Sequence, residues 1–484
     1  MTPPSHVVRR AVVAIALVGL SLPAAVAERP NGPVLALTLP EAVFLAIRDN
    51  RGIHSQYLQR IVDKFALRVA EDVYTPHFTL GSTVSKQRAA GSTSSGLAVN
   101  PSATMTTVTG ASFSFAWNNN QSQTSGSQPT GASNLSVSFS QPLLAGGGLE
   151  VGTAPLRQAR IAEQVAQLSL KNTVSATVTQ TILAYRALIQ TEQQARIAEA
   201  SLKRARDLRD VNRLLIDAGR LARVELIQSD EAIAQQELAF ASARNAYNSA
   251  RLNLLTILAL ELNIDIKATE KLTATPVRID LAKALRIALA SQPAYLQQVL
   301  QLDTARINLM VARNQRLWNV ALVGGTGVQS SGRYIADSVT SLATRKGDYQ
   351  VGLQFTIPIN DLTREQGEVN ATVSLRQIEI AKEQAAAVLE QQVTDSVQSL
   401  AAQVSELEQT RRARQLSAGK LEIELAKLQV GRSSNFQVVA FQNDVQSAEN
   451  AELTATVAYL NTLTNIDQLL GTTLETWKIG LNDR

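Results

Sequence analysis

Two long segments of the chain repeat apolar residues at helical spacing. Leu, Ile, Val and Ala recur every three or four residues over 156–216 and again over 363–428, and neither segment contains a proline. This periodicity predicts amphipathic helices. About 60 residues at about 1.5 Å each give a rod of about 90 Å. Helices of that length exceed what a globular domain needs and indicate an extended coiled-coil assembly.

Other segments alternate apolar with small or polar residues, which predicts β-strands. The clearest are Phe113–Trp117, Leu135–Phe139 and Val351–Ile357, and between His77 and Leu144 only Lys86 and Arg88 are charged. Strands that cross a membrane carry this pattern because one face meets lipid and the other meets water. Strands of a soluble sandwich have the same period. The membrane interpretation is favoured because each segment stands alone between very long helices.

The sequence contains one internal duplication. Three landmarks occur twice in the same order: Leu39–Asn50 with Leu281–Pro293, Phe139–Pro142 with Phe355–Pro358, and Asp217–Arg220 with Gln429–Arg432. A repeat of this size indicates two copies of one structural unit. The first repeat is predicted to span 28–270, with helices over 39–75, a hairpin over 77–144 and long helices over 156–263. The second spans 271–484, with helices over 279–316, a hairpin over 319–359, long helices over 363–470 and a short C-terminal tail.

The number of predicted strands constrains the assembly. Two hairpins give four strands per chain, which cannot close a barrel, and open sheet edges are not tolerated in lipid. Several chains must therefore share one barrel, and three would supply twelve strands. The segment Val108–Asn119 resembles a third strand of the first copy. A third crossing would leave the next helix on the wrong side of the membrane, so the segment is expected in an external loop or as an outward extension of the wall.

The N-terminus has the pattern of a secretory signal. Arg9 and Arg10 precede an apolar stretch over 11–22, and Ala25-Val26-Ala27 has the form of a cleavage site. The stretch is shorter than the roughly 20 residues that span a bilayer. Residues 1–27 are therefore predicted to be a cleaved Sec-type signal peptide. A short N-terminal membrane anchor is the other interpretation of these residues.

Composition narrows the chemistry. The chain has 484 residues, 45% hydrophobic and 4% aromatic, with 46 basic and 41 acidic residues interspersed along it. Mixed charge of this kind argues against nucleic acid as a partner. The chain has no cysteine and three scattered histidines, which excludes thiolate chemistry and lipid attachment at an N-terminal cysteine. It has no nucleophile elbow, zinc-binding His-Glu-x-x-His or phosphate-loop lysine. We therefore expect neither an enzyme nor a cofactor or metal site.

Across its mature length the chain resembles the TolC family of outer-membrane efflux proteins. The resemblance rests on the paired segments at Leu39–Asn50 and Leu281–Pro293, the Gln141–Gly147 strand exit, and Gly219 and Gly431. It implies an α+β membrane protein built from a duplicated helix–β-hairpin–long-helix repeat. The implied assembly is a homotrimer in the outer membrane of a Gram-negative bacterium. Its 12-stranded β-barrel, in contact with outer-membrane lipid, continues as a periplasmic α-helical barrel.

The implied function is a passive exit duct of a tripartite efflux pump or type I secretion system. Its partners would be a periplasmic adaptor protein and an inner-membrane pump, proton-driven or of the ABC type. The alternative function is a periplasmic coiled-coil scaffold or adaptor without a pore. Long alanine-rich helices suit both functions. The charge-poor alternating hairpins favour the duct because they would be aggregation-prone in water.

Three groups of residues are candidates for functional roles. The turns at the far ends of the long helices are expected to form tips that an adaptor binds, although glycine also fits there simply as a turn former. A closed aperture is expected near the second tip, where the family often has aspartates and this chain has Gln437 and Ala440 instead. Prolines are expected where helix and strand meet. The candidates are Gly219, Arg220, Arg223, Val430, Gly431 and Arg432 for the tips, Glu225, Asn435, Phe436 and Gln437 for the aperture, and Pro76, Pro142 and Pro358 for the junctions.

Overall fold

The structure is a computed structural model that describes residues 34–89 and 91–481. The expected signal peptide, residues 1–27, lies outside the described residues. The elements of the first half, in chain order, are β1 (Val34–Leu37), α1 (Leu39–Asp49), α2 (Arg51–Asp72), β2 (His77–Ala89), β3 (Ser92–Thr106), β4 (Ser112–Thr124), β5 (Thr130–Pro142), α3 (Leu149–Gly152), α4 (Ala154–Asp217) and α5 (Val224–Ile257).

The second half follows a similar order. It is introduced by β6 (Asp265–Ala268), which lies just before the predicted repeat boundary at residue 270. Its further elements are α6 (Leu281–Ser291), α7 (Pro293–Gln315), β7 (Asn319–Gly332), α8 (Ile335–Leu342), β8 (Asp348–Thr356), α9 (Leu362–Gln429), α10 (Asn435–Leu470) and α11 (Thr473–Thr476). Each half therefore has two shorter helices, a set of strands, one very long helix, a turn and a second long helix. The halves are joined near their starts, where β1 and β6 pair in parallel.

The two longest helices extend over 64 residues in α4 and 68 residues in α9. Each is about 100 Å long at about 1.5 Å per residue. Their bounds lie within two residues of the predicted segments 156–216 and 363–428. The bounds agree because the apolar periodicity continues through each segment and no proline breaks the helix.

The long helices lie side by side in two rows that share α4 and α9. Near the sheet, α2 contacts α4, α4 contacts α7, and α7 contacts α9. Towards the other end, α5 contacts α4, α4 contacts α10, and α10 contacts α9. Each row therefore has four helices, with α9 at one end and α2 or α5 at the other.

Two buried tyrosines fix the region where the rows meet. Tyr185 on α4 donates a hydrogen bond from its hydroxyl to the carbonyl oxygen of Leu37 at 2.8 Å, and Tyr459 on α10 donates to that of Thr275 at 2.8 Å. Both side chains are fully buried. Arg186, next to Tyr185, donates to the carbonyl oxygen of Leu460 at 2.5 Å and so ties α4 to α10 across the two halves. Burial lowers the pKa of Arg186 to about 10.

The strands form one antiparallel sheet of six, in the order β2-β3-β4-β5-β7-β8. The expectation of a single hairpin in the first copy, and hence of four strands per chain, is wrong. The first copy contributes four strands and the second contributes two. The expectation for Val108–Asn119 is also wrong, because residues 112–119 belong to β4 in the middle of the sheet. The first copy has an even number of strands between α2 and α4. The helix α4 therefore starts at the same end of the sheet at which α2 ends.

The missed strand is β3, and Pro101 explains why. Proline cannot donate to a sheet ladder and argues against a central strand. The β3–β4 pairing is interrupted there, between Val99–Asn119 and Ser102–Ala116. The Asn100 side-chain oxygen accepts the hydrogen bond from the Asn119 backbone N–H at 3.2 Å, so that donor remains satisfied.

Candidate functional site

One face of the six-stranded sheet is apolar and uncovered. Residues directly opposite one another on neighbouring strands share a face, which places Phe115 with Val137 and Leu322 with Leu353. Phe113 and Phe139 stack with ring centroids 5.8 Å apart. Exposed apolar side chains on this face are Phe78, Leu80, Val84, Leu97, Phe113, Phe115, Val137, Tyr349, Val351, Leu353 and Phe355. We call it the apolar face.

The opposite face carries small, mostly uncharged side chains. Ser114 lies opposite Ser138, with their hydroxyls 2.8 Å apart, and Asn118 lies opposite Asn134. Gly325 and Gly327 extend this face across β7, where they lie opposite Ser138 and Ser136. We call it the polar face. The two faces of the sheet thus differ in the polarity of their side chains.

The apolar face has a defined extent along the strands. On β7 it extends from Val320 to Val328, about 27 Å at about 3.4 Å per residue. Beyond it, at the sheet end far from the long helices, lies a row of buried polar residues. Trp117 Nε1 donates to Ser133 Oγ at 2.9 Å, and Ser133 donates to Asn119 Oδ1 at 2.6 Å. Helix α8 covers this row on the apolar side, where Ser330 Oγ donates to the carbonyl oxygen of Ser338.

The turns at the far ends of α4 and α9 have the same geometry. Gly219 and Gly431 adopt positive φ angles of 69° and 74°. Arg220 N–H donates to the carbonyl oxygen of Leu215 at 2.8 Å, and Arg432 N–H donates to that of Lys427 at 2.9 Å. These are Schellman caps, in which glycine adopts the left-handed conformation at little cost. Arg220 approaches the other turn, since a Cβ at Gly431 would lie 3.9 Å from its Nη2 atom. The candidate tip residues therefore come together at one end of the helices.

Asn435, which the sequence predicts to border the aperture, is the first residue of α10. Its side chain is fully buried among three helices. Asn212 on α4 donates to Asn435 Oδ1 at 2.7 Å and to Ser229 Oγ on α5 at 2.9 Å. Asn435 Nδ2 approaches Ser229 Oγ at 3.4 Å. We call Asn212, Ser229 and Asn435 the tip cluster. It links the turn regions of both halves through polar side chains that water does not reach.

The other aperture candidates remain accessible at the same end. Phe436 is 71% exposed and Gln437 is exposed, while Glu225 is half-buried at the start of α5. Nearby, Ser433 Oγ donates to Glu424 Oε1 at 2.6 Å, and Lys427 Nζ donates to Glu424 Oε2 at 3.1 Å. The Ser433 hydrogen bond, followed by that of Lys427, holds the pKa of Glu424 below its ordinary value.

The three prolines lie where elements meet. Pro76 precedes β2, Pro142 ends β5, and Pro358 follows β8 before α9 begins. The glycine-rich exit after Pro142 packs against the turn between β3 and β4. A Cβ at Gly110 would overlap the carbonyl oxygen of Gly146, and one at Gly152 would overlap that of Val108.

Both ends of each helical row carry apolar side chains without a partner in this chain. Near the sheet these are Leu58, Val62, Phe65 and Val69 on α2 and Leu362, Val369, Val373 and Ile380 on α9, all at least 49% exposed. The spacing in each set places its members on one side of the helix. In the other row, Leu416, Ile423 and Val430 recur every seven residues at the end of α9 and beyond it. Sequence reasoning missed these stripes because their periodicity does not tell which face a neighbouring chain would cover.

Solved structures of outer-membrane channels have the same fold. The chain matches the outer membrane protein VceC of Vibrio cholerae with a TM-score of 0.70 at 12% identity, over 90% of this chain and 96% of the other. It matches the CmeC outer membrane channel of Campylobacter jejuni with a TM-score of 0.68 at 12% identity, over 92% of this chain and 90% of the other. It matches the MtrE outer membrane channel of Neisseria gonorrhoeae with a TM-score of 0.67 at 15% identity, over 90% of this chain and 89% of the other.

The chain has the fold of the TolC-type outer-membrane channels. The resemblance seen in the sequence is confirmed at the level of the fold. The matched structures are described as channels or outer-membrane proteins. No family model and no curated sequence matches the chain.

Two further properties complete the description of this chain. Over residues 34–89 and 91–481, no helix combines the length and hydropathy needed to span a membrane. Within the same described ranges, no group of three His, Asp or Glu side chains is arranged to hold a metal ion.

Proposed function

We propose that three copies of this chain form a passive exit duct through the outer membrane of a Gram-negative bacterium. The duct would serve a tripartite efflux pump or a type I secretion system. The observation that carries the proposal is the uncovered apolar face, backed by a polar face on the same six strands. The face extends about 27 Å along β7, which at a tilt of about 40° corresponds to a height of about 21 Å, comparable to the roughly 25 Å apolar band of outer-membrane barrels.

The helical rows support a ring of copies. α2 and α9 stand at the two ends of one row, and each presents a stripe of exposed apolar side chains. In a ring, α9 of one copy would cover α2 of the next, and α5 would be covered in the same way in the second row. Burying an apolar side chain of this size contributes about 1.5–3 kcal/mol. Three copies of a four-helix row give the tunnel of twelve helices expected in the periplasm.

The partners follow from the ends of the duct. The tip residues Gly219, Arg220, Arg223, Val430, Gly431 and Arg432 are proposed to meet a periplasmic adaptor protein, which connects the duct to an inner-membrane pump. Phe436 and Gln437, together with Glu225, are proposed to border the closed aperture. These residues are suited to that role because Phe436 and Gln437 are exposed at the start of α10. The mature protein is proposed to begin after residue 27 and to carry no lipid.

The alternative function, a periplasmic scaffold without a pore, needs a different explanation for the sheet. A scaffold would leave a contiguous apolar face of aromatic and branched side chains in water. Patches of that kind mark interaction or membrane surfaces. No feature of the described residues covers this face except α8 at its far end.

The native mass and the conductance of the protein test the proposal together. Membrane-extracted protein is expected to be a trimer that requires detergent and forms discrete channels in planar lipid bilayers. A monomer or dimer that stays soluble without detergent and forms no channel would contradict the duct and favour the scaffold.

A further inference from the structure

Two of the six strands have no helix attached to them. β2 follows α2, β5 leads through α3 to α4, β7 follows α7, and β8 leads to α9. β3 and β4 connect only to other strands. We propose that this hairpin is a permanent part of the membrane wall, so that three copies close a barrel of eighteen strands, with β8 of each copy paired to β2 of the next. The inference rests on the proposed duct of three copies.

The hairpin is paired on both sides along its length. β2 and β3 pair residue by residue from His77–Thr104 to Ala89–Ser92. β4 and β5 pair from Ser112–Ser140 to Ser122–Thr130. The alternation of apolar and polar faces continues through β4 without a break, as the stacked pair Phe113–Phe139 illustrates. A hairpin that left the wall would break both ladders.

The turn between β3 and β4 is held at the helical end of the sheet. Gly148 N–H and Gln141 Nε2 both donate to the carbonyl oxygen of Thr109, each at 3.2 Å. Glycines at 110 and 152 allow backbone contact where any Cβ would overlap a carbonyl oxygen. Such close packing requires glycine and fixes the turn against the exit of β5. The hairpin is therefore anchored at its base as well as along its sides.

The widths of the sheet and the helical row agree. Strands about 4.8 Å apart and tilted by about 40° each occupy about 6.3 Å of circumference, so six strands occupy about 38 Å. Four helices at about 8–10 Å occupy about 32–40 Å. Four strands would cover only about 25 Å and the wall would have to taper by about a third. With the hairpin in the wall, the sheet is therefore as wide as the row of four helices that continues it.

The free edges allow closure by rotation alone. β2 and β8 are the edge strands, and all their side chains are exposed. In an antiparallel sheet with an even number of strands, the two edge strands run in opposite directions. A copy rotated about an axis along the strands therefore presents β2 antiparallel to β8 of its neighbour. Backbone groups at open edges are not tolerated in lipid, so both edges require a partner.

The consequence is a wide aqueous passage through the membrane part. Eighteen strands give a wall about 36 Å across at the backbone, against about 24 Å for twelve. Barrels of 16–18 strands leave an open channel. The polar face that would line it carries small side chains, and α8 packs on the other face. The narrowest point of the duct then lies at the helical tips and not within the strands.

Engineered cysteine pairs in the full-length trimer test the strand order, because the chain has no cysteine of its own. Thr83→Cys with Ala98→Cys joins neighbours on β2 and β3. Thr83→Cys with Ser136→Cys joins β2 to β5, which are adjacent only if the hairpin leaves the wall. Thr83→Cys combined in turn with Gln350→Cys, Gly352→Cys or Gln354→Cys samples the contact between copies. Cross-linking is carried out in membranes with a mild oxidant.

The expected result is cross-linking of the first pair within a chain, of at least one of the last set between chains, and none of the second pair. A detergent-stable trimer that cross-links 83 to 136 and not 83 to 98 would overturn the eighteen-stranded wall while leaving the duct intact. A monomer would overturn the duct itself. If the cysteine variants do not fold, electron cryomicroscopy of the unmodified trimer counts the strands directly, with eighteen expected and twelve contradicting the inference.

Discussion

Single glycines serve two different purposes in this chain. Gly219 and Gly431 supply left-handed backbone at the tips, where a Cβ at Gly219 would meet nothing within 4 Å. Gly152 supplies space, because a Cβ there would overlap the carbonyl oxygen of Val108. Gly110 does both, with a φ of 86° and a Cβ position that overlaps Gly146. Sequence alone identified the tip glycines from their place after a long helix, but close packing across a turn depends on tertiary contacts.

Gly110 and Gly126 form a matched pair for testing close packing. Their φ angles are 86° and 84°, but only Gly110 is enclosed. Gly126→Ala is expected to cost about 1 kcal/mol from the backbone conformation alone. Gly110→Ala is expected to cost more, because backbone atoms around Gly146 must also move. Thermal unfolding in detergent measures both, and equal effects would contradict the packed turn.

The tip cluster gives a second prediction at this scale. Asn435→Ala removes a buried acceptor and leaves Asn212 with fewer partners, for an expected loss of about 1–3 kcal/mol. Hydrogen exchange is expected to speed up around 205–235 and 430–440. Gln437→Ala, at an exposed position two residues away, is expected to leave exchange unchanged.

Variants of Asn435 and Gln437 test the stability of the tip cluster and the conduction of the channel separately. Gln437→Asp is expected to change single-channel conductance or cation preference if Gln437 borders the aperture. Conductance that is insensitive to Gln437→Asp and Gln437→Ala would remove Gln437 from the aperture. Exchange that is equally fast in the Asn435 and Gln437 variants would contradict the structural role of the cluster.

At the level of elements, the long helices were predictable and the sheet was only partly so. The helices follow from apolar periodicity over more than sixty residues, which no local feature interrupts. β3 has the alternation of a strand at Leu97, Val99, Ala103 and Met105, but Pro101 interrupts the pattern. Its place in the sheet depends on Asn100, whose side-chain oxygen accepts the hydrogen bond from the Asn119 backbone N–H that the ladder leaves free. Such compensation is visible only when the neighbouring strand is in place.

The junction between α9 and α10 gives a pH prediction. Glu424 accepts hydrogen bonds from Ser433 and Lys427, which hold its pKa below the ordinary value. A lowered carboxyl pKa stabilises the junction above the unfolded-state pKa of about 4.3, and that contribution is lost as the pH falls through the folded-state pKa. Amide protection over 424–438, corrected for the intrinsic pH dependence of exchange, is therefore expected to fall between about pH 5 and pH 3.

Glu424→Gln provides the control for this effect, since it keeps the shape of the side chain and removes the titration. Protection over 424–438 in this variant is expected to be lower than in the natural chain at pH 6 and to lack the further loss at low pH. An unchanged pH dependence in the variant would assign the effect to another group.

At the level of the whole molecule, one chain is incomplete as a structure. The sheet has two open edges and one uncovered face, and each helical row ends in exposed apolar stripes. A ring of copies in a membrane would pair the open edges, cover the apolar stripes and place the uncovered face against lipid. Comparable outer-membrane channels share the fold over about nine-tenths of the chain at 12–15% identity.

Charges introduced on the α2 stripe test the ring. Phe65→Glu with Val69→Glu places carboxylates on two side chains that are exposed in one copy. The monomer is expected to fold, because neither residue is in its core, but the trimer is expected to be lost from the native mass profile. Gln301→Glu, exposed on α7 in the middle of the row, is expected to leave the trimer intact. A trimer that survives the double variant would place the contact between copies elsewhere.

Local sequence patterns suffice to predict the long helices, the duplication, the tip turns and the presence of alternating strands. These depend on periodicity and on the backbone preferences of glycine and proline, which act over a few neighbouring residues. The six strands of the sheet, the burial of Asn435 and the set of uncovered apolar side chains became visible only in the folded chain. Those properties depend on contacts between residues far apart in the chain, whose geometry local patterns do not encode.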